Sequence, residues 1–143
     1  MTGLIFSILA GILVSIQGVF NTRVSEKIGQ WETTTIVHLT GFLFSILMVV
    51  FFGKGNFGKI GEVNGFYLLG GVFGVIIVFS VVQGISLLGM TVAVAILLVT
   101  QLLISAAIDY FGLFGTQPVR FDMTKVIGVM VIILGIVIFK WKG

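Results

Sequence analysis

The side chains most able to do chemistry in this sequence are a few polar residues inside long apolar stretches. Asp109 is the one carboxylate placed within such a stretch, and it shares a helical face with Gln101 and Ser105 at steps of four residues. His38 lies in an earlier stretch, one helical turn after Thr34. An ionisable group within a membrane span commonly binds a proton or a cation, so Asp109 is a candidate coupling carboxylate.

Amides form the second group of polar residues. Gln17 and Asn21 stand one turn apart in the first apolar stretch, Gln83 lies in the third and Gln101 in the fourth. Because an unpaired amide in hydrocarbon is costly, these side chains should face other helices or a wet cavity. They either form hydrogen bonds between helices or line a substrate path. The cavity hypothesis assigns Gln17, Asn21, His38, Gln83 and Gln101 to that path.

Asp109 and His38 each have a second interpretation. Asp109 lies about one turn from the end of its stretch, where it would pair with Arg120 or Lys125 across the following loop. A histidine with threonine neighbours is often a hydrogen-bonded packing residue. Both interpretations stay open at the level of sequence.

Composition places the chain in a lipid bilayer. Of its 143 residues, 58% are hydrophobic and only 9% are charged, whereas a soluble surface needs roughly 25–35% charge. There is no cysteine and one histidine, so thiolate and His-cluster metal sites are excluded. Phosphate-binding loops and nucleophile elbows are missing as well, which argues against an enzyme and predicts no cofactor. Eight scattered Lys and Arg are too few for a nucleic-acid surface.

Charged and glycine-containing segments divide the chain into five apolar stretches, which are predicted to be membrane spans, for which about 20 residues cross about 30 Å of hydrocarbon. The predicted fold is one all-α transmembrane domain, residues 1–143, with spans at about 3–22, 33–52, 66–88, 91–113 and 124–139. The third and fourth spans are too long to be one crossing. Gly89 is the predicted turn between them, with Thr91 as the N-cap of the next helix.

Positive charges are balanced across the predicted membrane. Five spans leave four Lys or Arg on each side: Lys54, Lys59, Arg120 and Lys125 on one, and Arg23, Lys27, Lys140 and Lys142 on the other. Orientation follows the Lys and Arg difference between sides, which here is zero. Either the balance is a chance result in a small protein of one orientation, or copies insert both ways and pair antiparallel. The second hypothesis gives ten helices with inverted-repeat symmetry, an arrangement common in secondary transporters.

Glycines at helical spacing provide candidate surfaces for dimer packing. Gly70 and Gly74 form a Gly-x-x-x-Gly pair in the third span, and Gly128 and Gly135 lie seven apart in the fifth. Small residues allow the backbones of membrane helices to approach closely.

Two segments resemble a known family. Residues 14–21 (VSIQGVFN) and the pair 100–103 (TQLL) and 108–115 (IDYFGLFG) are similar to signatures of the YdcZ family, five-span bacterial proteins of the drug/metabolite transporter superfamily. The resemblance covers essentially the whole chain. Residues 128–136 (GVMVIILGI) also resemble the dimerisation helix of small multidrug resistance transporters, which are four-span antiparallel dimers. The resemblance implies a bacterial inner-membrane protein whose five helices pair into a ten-helix transporter body, with a second copy or with a paralogue.

One departure limits what the resemblance implies. Small multidrug transporters exchange protons for cations through a glutamate in their first span, whereas this span has Gln17 in the comparable region and no carboxylate. The leading hypothesis is a secondary transporter of a small polar or cationic metabolite or drug that works as an antiparallel homodimer. The alternatives are a dual-topology ion channel and an accessory membrane subunit.

Overall fold

The computed structural model describes residues 1–118 and 122–141. Within this part of the chain there are five α-helices and no strand: α1 (Thr2–Ile28), α2 (Gln30–Phe52), α3 (Gly70–Leu88), α4 (Met90–Phe111) and α5 (Met123–Lys140). The prediction of an all-α membrane protein is therefore confirmed.

Four segments are long and apolar enough to cross a membrane: α1, α2, Gly65–Leu88 and α4. The remaining apolar helix, Met123–Phe139, is shorter, so a fifth crossing stays a prediction. Large apolar side chains cover the outside of the helices; Phe44 and Val50, for example, are 63% and 73% exposed. Such a surface suits lipid and would be unfavourable in water.

The charged residues after the first span belong to a helix and not to a loop. α1 continues through Arg23 and Lys27 to Ile28, and α2 begins at Gln30. A helix can extend beyond the hydrocarbon layer, because its backbone hydrogen bonds do not depend on the surrounding solvent. The exposed Arg23–Glu26 ion pair, at 3.2 Å on adjacent turns, stabilises this extension only slightly.

Single glycines in an unusual conformation form two connections. Gly29, between α1 and α2, has φ 98° and ψ 160°, and Gly89, between α3 and α4, has φ 79° and ψ 160°. This region of backbone conformation is essentially restricted to glycine. The predicted turn at Gly89 is confirmed, but the predicted N-cap at Thr91 is wrong. Because the turn is one residue long, α4 already begins at Met90 and Thr91 lies inside its first turn.

Two asparagines organise the segment between α2 and α3. Asn56 Oδ1 accepts a hydrogen bond from Gly58 N at 2.8 Å, and Asn64 Oδ1 accepts one from Phe66 N at 3.1 Å. Each begins a short 3₁₀ turn, Phe57–Glu62 and Gly65–Leu69. The second turn leads directly into α3.

The chain divides into two compact units, Met1–Leu87 and a second from Leu88 onward. The first unit contains the buried residues of the described chain. Its apolar core is small, with Val82 and Ile85 of α3, and most of its buried positions are polar: Asn21, Thr22, Thr33 and Thr34. The second unit contains α4, the short 3₁₀ turn Leu113–Gly115 and α5. Polar residues are thus concentrated where the helices of the first unit pack.

Candidate functional site

Three buried threonines lie where α1 and α2 approach the Gly29 turn. Thr22, Thr33 and Thr34 are between 1% and 8% exposed. Each hydroxyl donates to the backbone carbonyl four residues earlier in its own helix, at 2.8, 2.7 and 2.9 Å. A threonine bonded in this way presents only its methyl group to a neighbouring helix. The protons of these hydroxyls are therefore used within the chain and are not available to a ligand.

Asn21 is buried in the same region, but unlike the threonines its side chain is not hydrogen-bonded. Asn21 is only 7% exposed, yet its side chain forms no hydrogen bond with any described residue. No fully enclosed polar side-chain atom in the described chain lacks a partner, so the amide of Asn21 must reach open space. That space is a groove along α1, which Asn21 also lines.

The groove brings together two of the predicted cavity residues. It has a volume of about 430 Å³ and is lined by Gln17, Asn21 and apolar residues of α1 that include Leu13, Val14 and Phe20. Gln17 is exposed and, like Asn21, has no hydrogen-bond partner among the described residues. Spacing alone placed the two amides on one face, and the structure adds that this face is concave and that neither amide is used within the described chain.

Gln83, another predicted cavity residue, is engaged with α2. Its Nε2 donates to Oε1 of Gln30, and Gln30 Nε2 in turn donates to the backbone carbonyl of Phe79 at 2.7 Å. Beside them the rings of Trp31 and Phe79 pack with centroids 4.4 Å apart. We call Gln30, Trp31, Phe79 and Gln83 the α2–α3 clamp. Of the two roles considered for the amides, interhelical hydrogen bonding and lining a substrate path, Gln83 has the first in this structure.

Sequence reasoning missed Gln30. It lies between the first two predicted spans, about 3–22 and 33–52, whereas in the structure it is the first residue of α2. The available signal was its position directly after a glycine, next to an aromatic residue and at the start of a long apolar stretch. Its partner carbonyl on α3 carries no signal, because any residue supplies a carbonyl.

His38 is half-buried and packs against α3. Its Nδ1 lies 2.9 Å from the carbonyl oxygen of Thr34. Since a carbonyl only accepts, Nδ1 is the donor in this contact. Nε2 faces Gly74, where an added Cβ would lie 3.1 Å away. Gly74 thus gives space to the imidazole of the same chain, whereas Gly70 is exposed with nothing within 4 Å of its Cβ position.

The other predicted site residues belong to the second unit. Gln101 and Asp109 are exposed on α4, and Gly128 and Gly135 are exposed on α5 with nothing within 4 Å of their Cβ positions. Of the two partners proposed for Asp109, Arg120 lies outside the described residues, as does Lys142 of the charge balance. The backbone N of Lys125 donates to Asp122, the N-cap of α5, at 3.1 Å. The coupling and dimer-packing roles stay predictions.

Comparison with known proteins identifies the family. A family model described as "Putative inner membrane exporter, YdcZ" matches residues 2–138. Searches among curated proteins and among solved structures found no match to this chain. The match spans nearly the whole chain and agrees with helices able to cross a membrane several times. The chain therefore belongs to the YdcZ family and is a multi-pass protein of the inner membrane.

Proposed function

We propose that this protein is a secondary transporter that exports a small polar or cationic solute through a path that includes the α1 groove. The observation that carries the proposal is Asn21: the residue is only 7% exposed, yet its amide reaches the groove and bonds to nothing in the described chain. An amide that faces hydrocarbon without a partner is destabilising, so its presence in a groove favours a role in binding something outside the chain. The description of the family as an exporter supports the same direction of function.

The transporting unit in this proposal is an antiparallel homodimer. With α5 as a fifth crossing, two oppositely inserted copies form a ten-helix body related by an axis in the membrane plane. The groove is open along α1, and a second copy would enclose it and shield its amides from lipid. Exchange between two equivalent asymmetric arrangements of the copies would then expose the path to each side of the membrane in turn.

The remaining polar residues have subsidiary roles in the proposal. The proposal keeps the predicted roles of His38 and Gln101 as hydrogen-bonding groups for the solute, and of Asp109 as the carboxylate that couples transport to protons. Gly128 and Gly135 permit close approach of α5 to its counterpart in the second copy. This arrangement uses every intramembrane amide except those of the α2–α3 clamp.

Dual topology predicts equal labelling of two positions that flank α2, one before its first residue and one after its last. Cysteines introduced singly as Ile28→Cys and Gly55→Cys lie on exposed residues of a chain that has no cysteine of its own. In intact cells, a membrane-impermeant thiol reagent should label about half of the molecules at either position, because the balanced charges favour neither orientation. Labelling of detergent-solubilised samples gives the maximum for each variant, to which the labelling of intact cells is compared. Nearly complete labelling at one position with almost none at the other would show a single orientation and contradict the antiparallel homodimer.

A ligand screen tests the path itself. Any solute that binds the folded protein must raise its apparent melting temperature by mass action, so a thermal-shift screen of metabolites and organic cations should yield binders. For those binders, Gln17→Leu should abolish the shift while the variant remains folded, since Gln17 is exposed and has no partner to lose. Ser7→Ala is the matched control, because Ser7 lies outside the groove on the same helix and bonds only the carbonyl of Gly3. Ligand shifts that persist in Gln17→Leu would exclude the groove as the path.

A further inference from the structure

The groove along α1 contains no charge. None of the residues that line it is ionisable. The nearest ionisable side chains along α1, Arg23 and Glu26, are exposed and pair with each other at 3.2 Å. A charged ligand in the groove would therefore give up its hydration without gaining a countercharge, which is strongly unfavourable in a membrane.

The two free amides offer a specific hydrogen-bonding pattern. Each has an N–H₂ donor and a carbonyl acceptor side by side, and residues four apart on a helix lie about 5–6 Å from each other at Cβ. The neighbouring hydroxyl of Thr22 is already bonded to the carbonyl of Gly18 at 2.8 Å. The side-chain hydrogen-bonding groups of the groove are thus those of Gln17 and Asn21. A ligand group that pairs with an amide carries a hydrogen-bond acceptor next to a donor.

The rest of the groove suits a flat apolar body. Leu13, Val14 and Phe20 line it, and the Phe20 residue is 66% exposed, so the face or edge of its ring is accessible. Aromatic groups pack favourably against such a ring in offset or edge-to-face arrangements. The volume of about 430 Å³ falls within the range of sites for small organic ligands, roughly 300–1,000 Å³.

We infer that the groove selects uncharged, ring-bearing solutes with an adjacent hydrogen-bond donor and acceptor, such as a carboxamide or a lactam, over cations and anions of the same shape. The inference rests on the proposed role of the groove as the solute path, and it narrows the class of transported solute from polar or cationic to neutral. Gln17 and Asn21 bind the amide edge of the solute, and the apolar residues of α1 contact its ring.

Three probes of nearly identical shape test this selection: benzamide, which is neutral, benzamidinium, a cation, and benzoate, an anion. Binding to the full chain in lipid nanodiscs is measured by saturation-transfer NMR, with empty nanodiscs subtracted to remove partitioning into lipid. Benzamide should bind at least tenfold more tightly than either ion. Gln17→Leu and Asn21→Leu should each weaken benzamide binding at least tenfold, whereas Ser7→Ala should bind it as the unchanged protein does.

A variant that introduces a charge distinguishes the inference from a loss of structure. Gln17→Glu places a carboxylate of nearly the same size in the groove, so its preference should move from benzamide to benzamidinium. That gain of cation binding cannot come from misfolding, which makes the test valid even if Asn21→Leu does not fold.

Two other results would overturn the inference in different ways. If the unchanged protein binds benzamidinium as tightly as benzamide and Gln17→Leu abolishes both, the selection of neutral solutes is wrong and the groove remains the path. If no probe depends on Gln17 or Asn21, and Gln17→Cys instead forms a disulfide between two copies, the amides are packing groups of a dimer interface. That second result would also exclude the proposed path.

Discussion

Replacing Gly29 with alanine is expected to lower the free energy of unfolding of the first unit by about 3 kcal/mol, the upper end of the cost of a strained backbone conformation. Gly29 has φ 98° and ψ 160°, a region that residues with a Cβ almost never adopt. The new Cβ would also collide with the carboxylate of Glu32, whose side chain must move away. Because Gly29 is the whole connection between α1 and α2, no neighbouring loop residue can take over the strain.

Gly41→Ala provides the control for this prediction. Gly41 lies within α2, its backbone is helical, and an added Cβ would meet nothing within 4 Å. Alanine there should leave stability unchanged or raise it, since glycine is the poorer helix former. Unfolding in mixed micelles can be followed by the fluorescence of Trp31, which packs on Phe79, after Trp141→Phe removes the second tryptophan. Equal stability of the Gly29 and Gly41 variants would show that the turn does not require glycine.

The sequence predicts the helices well because one physical constraint dominates them. Stretches of about 20 apolar residues have to be helical in lipid, where every backbone N–H and C=O needs an internal partner. Length required a turn, since the third and fourth spans together exceed one crossing, and the tendency of glycine to end a helix placed it at Gly89. The same reasoning failed at residues 23–28, because the end of a hydrophobic stretch marks the edge of the lipid layer and not the end of a helix.

The candidate site could be predicted only where it lies on one helix. Gln17 and Asn21 share a face by their spacing, so their grouping was accessible from sequence. The bonds of Gln30 to α3 join residues 49 and 53 positions apart and depend on how α2 and α3 pack, which spacing does not encode. The same holds for His38 and Gly74, where a glycine of a helix-pairing motif makes room for an imidazole of its own chain.

Gln30→Leu is the second substitution for which a large loss of stability is expected, about 2 kcal/mol. It removes the bond to the carbonyl of Phe79 and leaves the amide of Gln83 without its partner, and an interhelical hydrogen bond in a membrane protein contributes about 0.6 kcal/mol on average and up to about 1.7. Gln83→Leu should cost about 1 kcal/mol, because Gln30 keeps its bond to Phe79.

A double-mutant cycle isolates the contact between the two amides of the α2–α3 clamp. Once Gln30 is leucine, changing Gln83 to leucine removes an unpaired amide and should cost nothing, so the two losses should fall short of additivity by about 1 kcal/mol. The matched control is Gln17→Leu, which also replaces an amide by leucine but breaks no bond among the described residues, so its stability should not fall even as ligand binding is lost. Additive losses at Gln30 and Gln83 would mean that the two amides do not interact in the membrane. A loss of stability in Gln17→Leu as large as that in Gln30→Leu would mean that the groove amide bonds within the folded protein and is not free to bind a solute.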